Sequence, residues 1–224
     1  MGKMLKISAL FLCLLAMFPV FLFALAYVLA TLRSDRIPEG DPAVFAGEAQ
    51  AAFAPFELRL ATFNVQLTRV VGRNRDIRAR AIAETLAQLD PDVVGFQEAF
   101  VDADVQLLTD LLTKRTRLAF HQRFPSSHIG SGLLISSAFP FQRVAFEPYD
   151  DYAPVWRFWE ADGIARKGVS LGRLKTNNGV LVDIFNTHAQ AAYPWNRYEE
   201  IREEQLLQAR RFTEQRIHPS IPAF

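Results

Sequence analysis

Two kinds of apolar patterning divide the chain. From Ile7 to Leu32 the sequence reads ISALFLCLLAMFPVFLFALAYVLATL and carries no charge. From Leu58 onward apolar residues come in short runs broken by charged or turn-forming residues. The first pattern predicts a transmembrane signal anchor over residues 1–33. At about 1.5 Å per residue such a helix spans the roughly 30 Å hydrocarbon layer. Lys3 and Lys6 precede the run, Arg33 and Arg36 follow it, and Pro19 is tolerated inside a membrane helix. The other reading is a secretory signal peptide cut after Ala24–Ala26, although such peptides have apolar regions of about 7–15 residues. Residues 34–56 hold Pro38, Pro42 and Pro55 among Gly, Ala and acids, and read as a linker.

The second pattern, over residues 57–224, predicts strands alternating with helices. ELRLATFN is a buried strand, with Leu58, Leu60, Ala61 and Phe63 inward and Asn64 at its end. Asp76 to Leu89 is a helix capped by Asp76, with Ile77, Ala81, Ile82, Leu86 and Leu89 on one face. VVGFQE is a strand closed by Glu98, and Asp102 to Leu112 a helix facing inward through Val105, Leu108 and Leu111. GLLISS is a third core strand. VSLGRL and VLVDIFN form a hairpin through KTNNG, since Asn-Gly is a strong hairpin turn. Tyr198 to Ile217 is a final helix with Ile201, Leu206, Ala209 and Phe212 inward, and a further strand is expected after it. The sum is a mixed α/β sheet.

Composition sharpens this picture in three ways. Half of the residues are hydrophobic, enough for a sizeable core. Cys13 is the only cysteine, which excludes an intrachain disulfide and a cysteine-rich metal site. Lys3, Lys6 and Arg33 precede Ser34 and no acid does, so the remainder carries 22 basic against 24 acidic residues, net −2. That lacks the footprint of a general nucleic-acid binder. The positive flank at the amino terminus places that end inside and the domain outside the cytoplasm, periplasmic or extracellular, or secreted if the segment is cleaved.

Asn64, Glu98 and His188 each close an apolar strand. Ligands of open α/β sheets bind beyond such ends, and an amide, a carboxylate and an imidazole there suit a metal and a phosphate. The plainer alternative is that each caps a turn. Glu98 is the candidate Mg²⁺ ligand, because hard cations prefer carboxylate oxygen. Lys167 reaches a phosphate oxygen, with Gly168 allowing close backbone approach, or forms a surface pair with Asp162. The stretch YDDYAPVWRFWEADG groups Tyr149, Tyr152, Trp156, Phe158 and Trp159 without either period. It reads as a loop, centred on Trp156 and Trp159, that touches lipid, or as aromatics packed under the loop itself.

The stretches LRLATFNVQ, LDPDVVGFQEAF, GSGLLISSAFPF, ARKGVSLGRL, NTHAQAAY and REEQLLQ occur in that order. Together they resemble the endonuclease/exonuclease/phosphatase superfamily over roughly Glu57 to Ile217. Within it the chain is most similar to neutral sphingomyelinases and related phosphodiesterases, through Asp162-x4-Lys167-Gly168 and Thr187-His188-x-Gln190-Ala191. Ala189 stands where that group usually has leucine, which implies a packing change. The resemblance implies a four-layer α/β sandwich like pancreatic deoxyribonuclease and Mg²⁺-dependent phosphoester hydrolysis. It also implies a phosphate-donating role for His188, as imidazolium offsetting developing charge, with Asn64 supporting Glu98 or donating to the phosphate. A membrane phospholipid of the sphingomyelin type is the leading substrate, with nucleic acid or a soluble phosphoester as alternatives. The family further implies a later Asp-x-Asn and a later Asp-His, and neither pattern follows His188. The expectation is therefore the N-terminal two-thirds of the sandwich, incomplete at its C-terminus, with little activity by itself. A non-catalytic membrane-tethered remnant is the alternative from another class.

Overall fold

The computed structural model describes residues 17–24, 56–69, 72–126, 129–154, 156–157, 160 and 162–224. Residues 17–24 are helical and exposed. The rest of the expected anchor, and the linker up to residue 55, lie outside the described residues. Among the described residues no helix is long and apolar enough to cross a membrane.

The elements run β1 (Leu60–Leu67), α1 (Arg75–Leu89), β2 (Val93–Ala99), α2 (Asp102–Arg115), β3 (Phe120–Phe124), β4 (Leu133–Ser137), β5 (Phe141–Pro148), β6 (Gly168–Lys175), β7 (Leu181–Thr187) and α3 (Glu199–Glu214). One sheet has the order β1-β2-β4-β3, with β1 and β2 parallel and the other pairs antiparallel. The second is an antiparallel sheet, β5-β6-β7. Three apolar layers hold them. α1 and α2 cover the first sheet through Ala79, Ile82, Ala83, Leu86, Val105, Leu108 and Leu112. Val93, Leu133, Ile135, Leu174, Val182 and Ile184 fill the space between the sheets. α3 lies on the second sheet, with Phe212 against Val169 and Leu171. This is a helix–sheet–sheet–helix sandwich, and β4, buried at all five positions, lies inside it.

Several expectations change for physical reasons. β1 continues past Asn64 to Leu67, and Leu60 and Phe63 are exposed because β1 is an edge strand. The buried face of α1 is Ala79, Ile82, Ala83 and Leu86, whereas Ile77 and Leu89 are exposed. Alanines face inward where the helix lies close against its neighbours. Asp76 sits in the first turn rather than at the cap; Asn74 takes the cap position with no side-chain cap bond. α3 buries Gln205, Gln208 and Phe212 and leaves Leu206 outside. β3 and β5 answer to no strand in the sequence reading. β3 is a sheet-edge strand and β5 is partly exposed, so neither shows a clean apolar period.

The hairpin turn is as expected, with Gly179 at φ 79 and its N–H donating to Thr176 O at 2.9 Å. After α3 the chain returns beside β7. Asp183 N–H donates to Pro222 O at 2.9 Å and Phe224 N–H to Asp183 O at 3.0 Å, a parallel bridge where a further strand was expected.

Candidate active site

Residues at or near the ends of three strands meet at one edge of the sandwich. Parallel β1 and β2 deliver Asn64 and Glu98 from the same direction, and β7 delivers Asn186, Thr187 and His188 from the other sheet. Asn186 ties the two sheets together. Its Oδ1 accepts from Gln97 Nε2 at 2.7 Å, and its Nδ2 donates to Phe96 O at 3.0 Å and Leu134 O at 3.3 Å. Gly95 makes room for it, because a Cβ there would lie 3.2 Å from the Asn186 carboxamide.

Asn64 Nδ2 donates to Glu98 Oε1 at 2.6 Å, and His188 Nε2 lies 3.7 Å from the same oxygen. The backbone is unusual here. Gln66 and Glu98 adopt φ 50 and φ 59, and the β1–β2 register shifts between Asn64 and Leu67. A left-handed non-glycine residue costs about 1–2 kcal/mol, so strain is concentrated beside Glu98.

Lys167 precedes β6 and is buried. Its Nζ donates to Asp162 Oδ1 and to Ala189 O, both at 2.9 Å. Asp162 Oδ2 accepts from Gln190 Nε2 at 3.0 Å and from Ala191 N–H at 2.7 Å. Gln190 N–H in turn donates to Gln205 Oε1 on α3 at 2.7 Å. The five residues singled out in the sequence therefore stand in one cluster, and the backbone of Ala189 belongs to it. At Gly168 a Cβ would lie 2.2 Å from Glu147 O, so the glycine lets β5 approach closely.

Burial, then the charge of Lys167, push His188 down to about 4 against the pull of Asp162. That environment favours the neutral imidazole, which donates through a single N–H, over the imidazolium expected. Burial also pushes Lys167 down, opposed by Asp162 and Glu98.

No group of three His, Cys, Asp or Glu forms a metal cage among the described residues. Magnesium needs none, since it keeps several waters and is held by one or two carboxylates plus substrate phosphate. The half-open carboxylate of Glu98, with Asn64 on one oxygen, fits that mode.

The aromatic loop divides. Tyr149 is buried, its hydroxyl 2.5 Å from Thr187 Oγ1, and Arg166 covers the ring of Tyr152 at 4.2 Å. Trp156 is exposed, while Phe158 and Trp159 lie outside the described residues. Sequence reading missed Gln190 and Gln205 as partners of this site. It also missed a knot around buried Glu160, which accepts from Trp195 Nε1 at 2.6 Å and Tyr198 Oη at 2.5 Å. Burial opposes ionisation of Glu160, but these bonds and Arg157 hold it below the usual carboxylate range. The polar residues of THAQ were the only available signal for Gln190. Nothing local signals a contact across 38 residues such as that of Glu160 with Tyr198.

Residues 61–224 match the Endonuclease/Exonuclease/phosphatase family. An inositol phosphosphingolipids phospholipase C of Schizosaccharomyces pombe is 33% identical over 61% of this chain and 32% of its own length. Sphingomyelin phosphodiesterase 2 of Homo sapiens is 29% identical over 65% of this chain and 34% of its own length. The chain thus spans about a third of the length of the curated relatives it matches. Sphingomyelinase C from Streptomyces griseocarneus superposes with a TM-score of 0.58 at 21% identity, covering 70% of this chain and 58% of that one. Beta toxin from Staphylococcus aureus, in a crystal with bound magnesium ions, gives 0.59 at 20% identity, covering 71% and 60%. These two likenesses establish a shared fold.

Proposed function

This chain belongs to the endonuclease/exonuclease/phosphatase family, and from that premise we propose that it serves a divalent-metal-dependent phosphodiesterase of phospholipids, with a sphingomyelin-type headgroup as substrate. One observation carries the reading: Glu98 Oε1 is shared by Asn64 at 2.6 Å and His188 at 3.7 Å, beside buried Lys167.

In this reading Glu98 holds Mg²⁺ and Asn64 fixes the rotamer of its carboxylate. The metal, when bound, polarises a phosphoryl oxygen. Neutral His188 donates its N–H to a phosphoryl oxygen. Lys167 supplies a fixed positive charge behind the phosphate, steadied by Asp162 and the Ala189 carbonyl. The apolar run from Ile7 to Leu32 and exposed Trp156 support a membrane-tethered protein acting at a lipid surface.

A second reading, a phosphoester-binding module without turnover, is favoured by the other described histidines. His121 is engaged by Thr113 and Ser136, and His218 Nδ1 by Ser220 Oγ at 2.8 Å. Each is bonded to its own neighbours, whereas the histidine beside Glu98 is His188.

The readings separate on a substrate panel: sphingomyelin vesicles, duplex DNA and p-nitrophenyl phosphate, each with and without Mg²⁺. The first predicts Mg²⁺-dependent phosphocholine release that Glu98→Ala abolishes. Preferential cleavage of DNA or the monoester overturns the lipid assignment. Phosphocholine binding with no turnover of any substrate selects the second.

A further inference from the structure

The loop before Lys167 and the segment after Gln190 close on one another around a single carboxylate. The Glu160 side chain is fully buried, and Trp195 Nε1 and Tyr198 Oη donate to its two oxygens at 2.6 and 2.5 Å. Tyr193 stacks on Trp195 with centroids 5.7 Å apart and meets Tyr198 edge-on at 6.3 Å. The product is a negative charge held by the polar tips of two aromatic side chains, and a cation stands beside it over two ring faces. Arg157 Cζ lies 4.9 Å from the Trp156 ring centroid and 5.9 Å from that of Tyr198.

Arg157 is an imperfect occupant. Its Nη1 reaches Glu160 Oε1 at 3.3 Å and Tyr198 Oη at 3.1 Å, but its Nε is buried with no hydrogen-bond partner. An unpaired buried N–H is costly. The walls do not depend on Arg157, because Glu160 keeps its two other donors without it. What they require is positive charge. A quaternary ammonium brings that charge with no N–H to satisfy, and its methyl groups pack on ring faces. Glu160 also lies two residues before Asp162, the partner of Lys167, so the box borders the phosphate-facing cluster.

We infer that this aromatic box binds the quaternary ammonium of a choline-type headgroup, with Arg157 as an internal stand-in that is displaced on binding. The inference deepens the phospholipid reading and rests on it for the source of the ligand. The box itself can be tested with no hydrolysis.

All three tryptophans of the chain, Trp156, Trp159 and Trp195, fall in the two sequence segments that carry the box residues, so intrinsic fluorescence reports on this region. The full chain is titrated with tetramethylammonium, phosphocholine and, at matched ionic strength, ammonium chloride. Saturable change is expected with the first two and not with ammonium. Arg157→Ala tightens tetramethylammonium binding by about tenfold, and Glu160→Gln weakens it by about as much. Arg157→Ala leaves the aromatic walls and the carboxylate in place, so it decides the matter even if Glu160→Gln fails to fold. No saturable response in wild type and Arg157→Ala, an equal response to ammonium, or weaker binding by Arg157→Ala overturns the inference. Phosphatidylcholine vesicles, with phosphatidylglycerol as control, separate a lipid-borne from a free headgroup, and a response to either source supports the box. Sphingomyelin hydrolysis without cation binding removes the box and keeps the phosphodiesterase. Cation binding without hydrolysis does the reverse.

Discussion

The two ends of the first sheet handle charge in opposite ways. Where β2 begins, charges pair among themselves. Arg117 takes both Asp90 oxygens at 2.9 and 3.0 Å and Asp92 Oδ1 at 2.9 Å, and Asp92 Oδ2 accepts the backbone N–H of Arg59. Where β2 finishes, Glu98 has one amide donor and an imidazole just beyond hydrogen-bond distance. Asp90 and Glu98 both have left-handed backbones, but Asp90 closes a helix with its N–H on Leu86 O. At Glu98 the same strain ends no helix. An end that compensates its own charges needs no ligand. The other end leaves a carboxylate with a single amide donor on a strained turn, beside a buried lysine and a histidine, and it is the end we propose for a ligand.

The largest expected effect is at the site end. Lys167→Met removes a buried cation and leaves the partly buried Asp162 without it, and should lower stability by about 3 kcal/mol in urea denaturation. Adding Asp162→Asn should recover much of that loss, and no recovery would mean the pair does not act as a unit. At the opposite end Arg117→Ala breaks partly exposed ion pairs. Surface pairs contribute little, so a slightly lower melting temperature and unchanged activity are expected. An activity loss there matching that of Glu98→Ala would erase the distinction between the ends.

The smallest effect lies outside both ends. Burial holds His121, on β3, below its ordinary value of 6.5, with Asp110 opposing. Its stabilising neutral form is fully present above 6.5 and is lost as pH falls through the lower folded value. His121→Asn should flatten that acid limb of the stability curve, read as urea midpoints at successive pH values. An unchanged limb would assign the acid sensitivity to other groups.

The strands that carry Asn64 and Glu98 and lead to His188 were legible because polar residues interrupt strongly apolar runs, although β1 runs on past Asn64 to Leu67. The link between Asp162 and Lys167 was legible only through the spacing shared with a family. The edge strand β3 was hidden because its three central residues, His121, Gln122 and Arg123, are polar and only Phe124 is buried. The inward face of α1 was misread because close packing selects Ala79 and Ala83, and hydrophobicity alone favours Ile77 and Leu89. On α3, Gln205 and Gln208 are buried for their hydrogen bonds to Asp151 O and Glu147 Oε1, a reason no periodicity encodes. Partnerships between loops, such as Glu160 with Trp195, depend on the finished fold.

The central claim is that Glu98 is kept under-coordinated to hold a divalent cation. Mn²⁺ binding to the purified chain, followed by electron paramagnetic resonance, tests it without requiring turnover. The account predicts saturable Mn²⁺ binding that Mg²⁺ competes away and that Glu98→Gln loses, with Arg117→Ala unchanged. Binding that survives Glu98→Gln, or no binding to the wild-type chain, would contradict it.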